Sequence, residues 1–303
     1  MIKYIRFLVA LVLSIVNLVF LSSCAFLICC GQFLCFRRLG FVRIDIWATH
    51  IVHKLISLHS ANLRRILYFV CEVRLQPFLS ESLCLQRSYI MVINHRSYVD
   101  ILILLAFFYD KIPNMKFFLK RALFYVPFMG QFCYLMNYIF VRKISSHILR
   151  RNPEVIIQQR EKISQQCRVL VQKPVTLAVF AEGTRFNLHK HQQSAIQFRN
   201  LLSPQPAGLA LALESCAGHV HELIDVTLVY DIDVISVWKL LSGTVNTVEI
   251  HVSVYNMTQL NLIGNYVQDR RFRKRFIAWV KKLWLRKDAL LAHARTRLQS
   301  ISG

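Results

Sequence analysis

Read for the alternation of apolar and polar positions, the chain falls into two regimes. From Phe7 to Phe36 no charged residue occurs, which predicts an uninterrupted apolar helix. From Ile44 to Val73, apolar Ile51, Leu55, Leu58, Leu63, Leu67 and Val70 recur beside polar His53, Lys54, Arg64 and Arg65. That spacing predicts a second, amphipathic helix, equally suited to lying on a membrane or capping a domain. From about residue 80 the pattern changes to short apolar runs alternating with helical stretches. Strands are predicted over Ser88–Ile93, Tyr138–Val141, Val175–Phe180, Val226–Tyr230 and Val245–Tyr255. Helices are predicted over Val99–Tyr109, Pro153–Val171, Ser194–Leu202 and Phe272–Arg297. The order predicts an α/β fold, a central, mostly buried β-sheet flanked by helices. Val175–Phe180 is apolar at successive positions, as a central strand buried on both faces should be. No internal repeat or low-complexity linker interrupts the chain. The expected organisation is therefore a membrane-embedded helix over residues 1–43, an amphipathic connecting helix over 44–79, and a catalytic domain over 80–303 that ends in a basic helix.

The apolar leader is longer than a single crossing requires. At 1.5 Å per residue it makes a helix of about 45 Å, against a hydrocarbon core of about 30 Å. It can span once with tilt, or bend back near Ser22-Ser23 or Gly31 and remain in one leaflet. Lys3 and Arg6 precede it and Arg37, Arg38 and Arg43 follow. The positive-inside bias places the main body on the cytoplasmic side. Leu21-Ser22-Ser23-Cys24 has the look of a lipoprotein cleavage box, but the residues after Cys24 stay apolar where a mature lipoprotein turns polar.

Composition sharpens this picture. Hydrophobic residues make up 55% of the chain, the mean hydropathy is +0.40, the formal net charge is +22 and the pI is about 10.0. A chain both basic and apolar fits an anionic membrane surface better than a nucleic acid. No helix-turn-helix, zinc-finger or RRM signature is present. The last predicted helix concentrates the charge: Arg270, Arg271, Arg273, Lys274, Arg275, Lys281, Lys282, Arg286 and Lys287 accompany Phe272, Phe276, Trp279, Val280, Leu283 and Trp284. This is either a solvated charged face over a packing stripe or a contact with anionic headgroups. The 9 cysteines include no C-x-x-C pair, so they read as small buried hydrophobes rather than a zinc or disulfide framework.

Three stretches carry chemistry. Asn94-His95-Arg96-Ser97-Tyr98-Val99-Asp100 follows the run Tyr89–Ile93. A neutral imidazole can take a proton from an alcohol near pH 7, and does so better when a carboxylate holds its other ring nitrogen. Ser97-x-x-Asp100 is also a capping-box pattern, so the aspartate has a purely structural reading. The second stretch is Phe180-Ala181-Glu182-Gly183-Thr184-Arg185-Phe186. Its glycine permits a tight turn and its arginine offers a planar fork suited to phosphate. The third, Asn137–Arg142, is an apolar strand that ends in another arginine. Two arginines at the ends of adjacent strands, on the sheet edge that bears His95, would make an anion site facing the base.

Together these residues resemble the glycerolipid acyltransferase family typified by bacterial 1-acylglycerol-3-phosphate acyltransferase (PlsC type); Arg185-Phe186, Lys190-His191-Gln192-Gln193 and Leu201-Leu202 with Gly208-Leu209-Ala210 look most like its YihG-like bacterial branch. Asn94 to Asp100 fits the family's first motif, Ile139–Arg142 its second and Glu182–Arg185 its third. Asp225–Tyr230 lies where an apolar fourth motif falls, without the proline many members carry. Lys120, Leu123, Pro127 and Gly130 fit the segment between the first two motifs. The resemblance implies a membrane-bound transfer of a fatty acyl group from acyl-CoA or acyl-carrier protein, as co-substrate, to the free hydroxyl of 1-acylglycerol-3-phosphate. His95 would be the base and Asp100 its orienting carboxylate. Arg142, Glu182, Gly183, Thr184 and Arg185 would hold the glycerol phosphate, with Lys190 assisting. It further implies membrane lipids as partners, a place at the bacterial inner membrane, and no metal or cofactor. His189/His191 and His219/His221 lack the carboxylates or thiolates that would make them metal pairs. Two rival readings stand beside this one: a family member acting on another lysophospholipid, and a non-catalytic basic membrane-binding protein.

Overall fold

In a computed structural model the structure describes residues 1–39, 42–126, 130, 133–134, 137–142, 154–193 and 198–302. Seven strands form one sheet: β1 (Arg74–Leu79), β2 (Tyr89–Ile93), β3 (Met115–Lys120), β4 (Ile139–Val141), β5 (Thr176–Phe180), β6 (Glu222–Tyr230) and β7 (Thr247–Asn256). Their order across the sheet is β1-β7-β6-β2-β5-β3-β4. All neighbours are parallel except β6 and β7. The expected α/β class is the observed one. β2 is buried at every position, as its run of Tyr89, Ile90, Met91, Val92 and Ile93 requires of a central strand.

The pleat divides the core into two layers. Tyr89, Met91 and Ile93 face one side, together with Ile224, Val226, Leu228 and Tyr230. There they meet Val99, Ile103, Leu104 and Phe108 of α3 (Val99–Phe108). Ile90, Val92, Leu177 and Leu223 face the other side. That layer is closed by α4 (Glu154–Leu170), α6 (Pro206–Ser215) and α8 (Arg270–Ser302), the last contributing Phe272, Phe276, Val280, Leu283 and Trp284. A short α5 (Leu188–Gln193) and α7 (Val237–Leu241) complete the domain.

α8 is also held by charge. The Lys287 ammonium, 1% exposed, donates to the Val226 carbonyl at 2.6 Å and to Thr227 Oγ1 at 3.1 Å, and it pairs with Asp225. Asp225 and Thr227 are the polar positions on the α8 side of β6. A buried pair of this kind contributes little over a packed apolar pair, but losing one partner strands a charge in the core.

The leader is the helix α1 (Ile2–Leu39), and α2 (Val42–Arg65) runs back along it. Asn17 Nδ2 lies 3.0 Å from His59 Nδ1, and the Asn62 amide donates to Asn17 Oδ1 at 3.2 Å. Ala10 is buried in the layer beneath α3, and the Phe7 ring lies 4.3 Å from that of Trp238. Arg6 pairs with Glu72 at 2.6 Å. α1 thus packs sideways on α2 and on the sheet domain. Its other side leaves Leu8, Val12, Leu13, Val16, Val19 and Phe20 exposed.

The differences from expectation have local causes. The helix expected from Ile44 runs on only to Arg65, then widens into a π-helical turn over Ile66–Val70. Residues 74–79, expected to lie in the connecting helix, form the edge strand β1 instead, hydrogen-bonded to β7. Residues 198–202 of the expected helix over Ser194–Leu202 are irregular, residues 194–197 lie outside the described residues, and helices flank the stretch on both sides. Pro127 and Pro153 also lie outside the described residues.

Candidate active site

Strand register assembles the site. β2 and β5 are parallel neighbours with Ile93 opposite Phe180. Two residues further on, His95 and Glu182 therefore come level. The His95 N–H donates to Glu182 Oε1 at 3.1 Å, and the Phe186 N–H donates to the His95 carbonyl at 2.7 Å. The two loops that the sequence marked for chemistry are zipped together at the carboxyl ends of adjacent strands, where open α/β sheets place their ligands.

His95 Nδ1 lies 2.9 Å from Asp100 Oδ2. The same oxygen accepts the Arg96 N–H at 2.7 Å and the Ser97 N–H at 2.9 Å, while Oδ1 accepts the Tyr230 hydroxyl at 2.7 Å. Every one of these contacts is a donor, so Asp100 acts as an acceptor throughout and Nδ1 carries the imidazole proton. Nε2 is then the basic nitrogen. The His95 ring stacks on Phe180 with centroids 4.0 Å apart and an angle of 22°, which fixes the direction of Nε2. The His95 side chain is 13% exposed and that of Asp100 0%: the imidazole is reachable and the carboxylate that holds it is not. Of the capping-box pattern only half forms: Asp100 Oδ2 accepts the Ser97 N–H, but Ser97 Oγ meets the Val99 N–H at 3.4 Å instead of that of Asp100, and the residue that opens α3 is Tyr98, with no side-chain capping bond. One carboxylate gathers the turn that leads into α3 and holds the imidazole.

The Tyr230 hydroxyl had no role in the sequence reading. The signal available was its type: a tyrosine at the end of a buried strand must find a hydrogen-bond partner. Burial and the adjacent Asp100 push its phenol well above the usual range, so it stays a donor. Asn94, 0% exposed, closes the back of the site, accepting the Leu228 N–H at 2.9 Å and donating to the Leu228 carbonyl at 3.1 Å.

Glu182 lies inside rather than on the surface. Its second oxygen accepts the Leu202 N–H at 3.3 Å, and burial pushes its carboxyl up to about 8, against the pull of its two backbone donors. Gly183 takes φ +66°, a left-handed turn that a β-carbon would strain. That turn sends Thr184 and Arg185 outward. Arg185 is exposed, with its guanidinium carbon 3.7 Å from the centroid of the Tyr98 ring. Lys190 Nζ donates to Thr184 Oγ1 at 2.7 Å. Arg96 turns inward instead. It donates to the carbonyls of Asn200 and Asp233 at 3.1 and 3.0 Å and covers the Phe186 ring, and burial pushes it down to about 10.

Arg142 is placed differently from the expectation. β4 and β5 are not adjacent, because β3 lies between them. Both strands end at the edge that carries His95, but a strand spacing of about 4.8 Å leaves Arg142 about 10 Å to the side of the Glu182 loop. There it lines a groove of about 680 Å³ together with Arg121, Phe124, Tyr138, Phe140 and Lys162. The strand β3 that separates the arginines carries two lysines in Met115-Lys-Phe-Phe-Leu-Lys120, which hid it from an apolar pattern. Among the described residues no group of histidine, cysteine and carboxylate side chains could hold a metal ion.

Residues 72–230 match the sequence profile of the family described as Acyltransferase. The chain is 24% identical over 256 residues to the 2-acyl-1-lysophosphatidylinositol acyltransferase of Saccharomyces cerevisiae, covering 68% of this chain and 61% of that protein. It is 27% identical over 159 residues to the mouse 1-acyl-sn-glycerol-3-phosphate acyltransferase epsilon, covering 48% of this chain and 41% of that one. The matches thus span less than two thirds of either relative. The crystal structure of the 1-acyl-sn-glycerophosphate acyltransferase PlsC from Thermotoga maritima superposes with a TM-score of 0.50 at 17% identity, over 94% of this chain and 97% of that one. That likeness extends the shared fold from the matched segment to nearly the whole chain.

Proposed function

The chain belongs to the Acyltransferase family, and from that premise we propose that it moves a fatty acyl group from a thioester donor to the free hydroxyl of a lysophospholipid, with 1-acylglycerol-3-phosphate as the acceptor. One observation carries the reading: an accessible imidazole whose Nδ1 is held by the fully buried Asp100 and whose ring is pinned on Phe180. Nε2 takes the hydroxyl proton as the oxygen attacks the thioester carbonyl. The tetrahedral intermediate then collapses, expelling the thiolate, and the imidazolium returns the proton to the departing sulfur. Asp100 stabilises the imidazolium between these two transfers. No acyl-enzyme is required, and no cysteine or serine side chain is assigned a nucleophilic role.

Arg185, Thr184 and Lys190 stand at the exposed rim beside the base and supply the fork and the ammonium for the acceptor's phosphate. Glu182 and Gly183 act one step back, the first by tying the two loops and the second by turning the chain outward. The groove that Arg142 lines is a second anion-friendly surface on the same edge, suited to the other substrate. Thioester donors of both kinds, CoA and carrier protein, meet these requirements.

The reading includes a membrane. Ile2–Ile28 is long and apolar enough to cross a membrane, and most of its most apolar stretch is not buried. Because α1 lies along α2 and the sheet domain, its exposed stripe enters a leaflet side-on, with the catalytic domain at the cytoplasmic face of the inner membrane. The site then opens where lysolipid and product reside.

The test is acyl transfer by purified protein over a panel of lysophospholipids with acyl-CoA and acyl-carrier donors. Lysophosphatidic acid is expected to be the best acceptor. His95→Ala is expected to lose at least about a hundredfold in kcat while melting as the parent does. Parent-like activity in that variant would sink the mechanism, and a stronger response to a zwitterionic lysolipid would redirect the acceptor assignment.

A further inference from the structure

The two catalytic loops touch at more than one level. His95 and Glu182 form the inner rung, through the backbone N–H of the first and the carboxyl of the second. Three residues further along each loop lie Tyr98 and Arg185, and they form an outer rung of another kind. The Arg185 guanidinium carbon stands 3.7 Å from the Tyr98 ring centroid, close enough for the planar group to rest on the ring face. Tyr98 is 52% exposed, so it is not a core residue held there by packing. It follows His95 at the start of α3, on the loop that Asp100 anchors through the Arg96 and Ser97 N–H groups. The ring therefore belongs to the base's own loop, while the cation comes from the other.

We propose that Tyr98 is a positioning residue for the acceptor's phosphate, acting through Arg185; the inference rests on the assignment of Arg185 to that phosphate. A free arginine at an exposed rim samples many rotamers, and immobilising such a side chain on binding costs part of the affinity. Stacking on a ring satisfies one face of the guanidinium and leaves its N–H fork, which lies in the plane, open at the edges. The attraction between cation and ring quadrupole holds the fork in that attitude before substrate arrives. Since ring and imidazole share one short loop, the stack also sets the span between the fork and Nε2. That span selects an acceptor whose anionic group and free hydroxyl are a fixed few bonds apart. Glycerol phosphate esters have this feature.

The measurement is steady-state kinetics with 1-acylglycerol-3-phosphate and one thioester donor for Tyr98→Phe, Tyr98→Trp and Tyr98→Leu, with Arg185→Ala as reference. An exposed cation–π contact predicts that Tyr98→Leu raises the acceptor KM about two- to fivefold. The KM for the donor and kcat should stay near those of the parent. Tyr98→Phe should match the parent, because the ring face and not the hydroxyl does the work, and Tyr98→Trp should match or improve on it. Glycerol 3-phosphate, used as a competitive probe, should weaken in the same order. Tyr98→Leu should add nothing on top of Arg185→Ala, since the two act as a unit. A flat Tyr98 series alongside an Arg185→Ala variant with a raised acceptor KM overturns the inference and leaves the phosphate assignment standing. An Arg185→Ala variant with an unchanged acceptor KM overturns both. Loss of kcat in every Tyr98 variant, the phenylalanine included, would mark a purely structural residue and overturn it as well.

Discussion

At the scale of single residues, Asp100 shows how much one carboxylate is asked to do. It gathers the Arg96 and Ser97 N–H groups of the turn before α3, holds the imidazole and receives the Tyr230 hydroxyl. Removing that last donor isolates a lone pair on a side chain with no access to water. Tyr230→Phe is therefore expected to lower the unfolding free energy by about 1–3 kcal/mol and to reduce kcat more than either KM, as thermal melts and kinetics on the same preparation would show. Glu182 makes a pH-dependent contribution. Its folded carboxyl is raised to about 8 from an ordinary 4.5 by burial. Across that window the folded chain keeps a proton that the unfolded chain has released, so stability falls as pH rises from about 4.5 towards about 8. Glu182→Gln should flatten that decline in Tm against pH. An unchanged slope would mean that Glu182 is ionised at its contacts with His95 and Leu202. The residue types were legible in the sequence, since the dyad and the Glu182–Arg185 block stand in unbroken runs. Their division of labour was not. Nothing local distinguishes the buried brace Glu182 from the exposed fork Arg185 three positions on, because that difference arises from one left-handed turn at Gly183 and the neighbouring strand's register.

At the scale of elements, legibility followed burial. β2, β5 and the end of β6 were visible as apolar runs. β6 begins earlier than expected because Glu222 and Asp225 interrupt the pattern, and Asp225 is the partner of Lys287 on α8. β1 was missed because an edge strand with an exposed outer face and a proline in Arg74-Leu-Gln-Pro-Phe-Leu79 shows no alternation. α6 was missed as well, since Gly208 near its start argues against a helix that Leu209, Ala210, Ala212 and Leu213 then secure by packing. The irregular segment over residues 198–202 matters more than its lack of helix or strand suggests. Asp288 of α8 accepts the N–H groups of Arg199 and Asn200, both at 2.7 Å, and Arg295 donates to Asn200 Oδ1 at 3.1 Å. The Asn200 carbonyl in turn accepts from Arg96, and the Leu202 N–H donates to Glu182. Asp288→Ala should therefore destabilise the fold by about 1–3 kcal/mol and slow acyl transfer although it lies outside the catalytic loops. Hydrogen exchange at Arg199 to Leu202 is the direct readout, and unchanged protection there would refute the brace.

At the scale of the whole molecule, the sheet separates two unlike surfaces. α1, with its exposed Leu8, Val12 and Val16, packs on one layer, and α8 packs on the other. The cations of α8, considered in sequence as a contact for anionic headgroups, are therefore turned away from the leader's apolar stripe. Changing Leu8, Val12 and Val16 together to serine should lower retention in the membrane fraction by more than about tenfold while leaving kcat on detergent-dispersed substrates intact. Neutralising Lys274, Arg275, Lys281 and Lys282 should leave retention nearly unchanged, and a comparable loss in that variant would bring α8 back to the lipid. The single reversal in the sheet has a further consequence, in time. Because β7 runs against β6, α8 starts at the edge remote from His95 and reaches the catalytic edge only with Asp288 and Arg295. Those residues lie downstream of every other part of the site, so a growing chain makes its apolar helix first and its brace last. A ribosome stalled before Asp288 would hold a polypeptide with imidazole, carboxylate and guanidinium all made, and the loop that steadies them still waiting for its fastening.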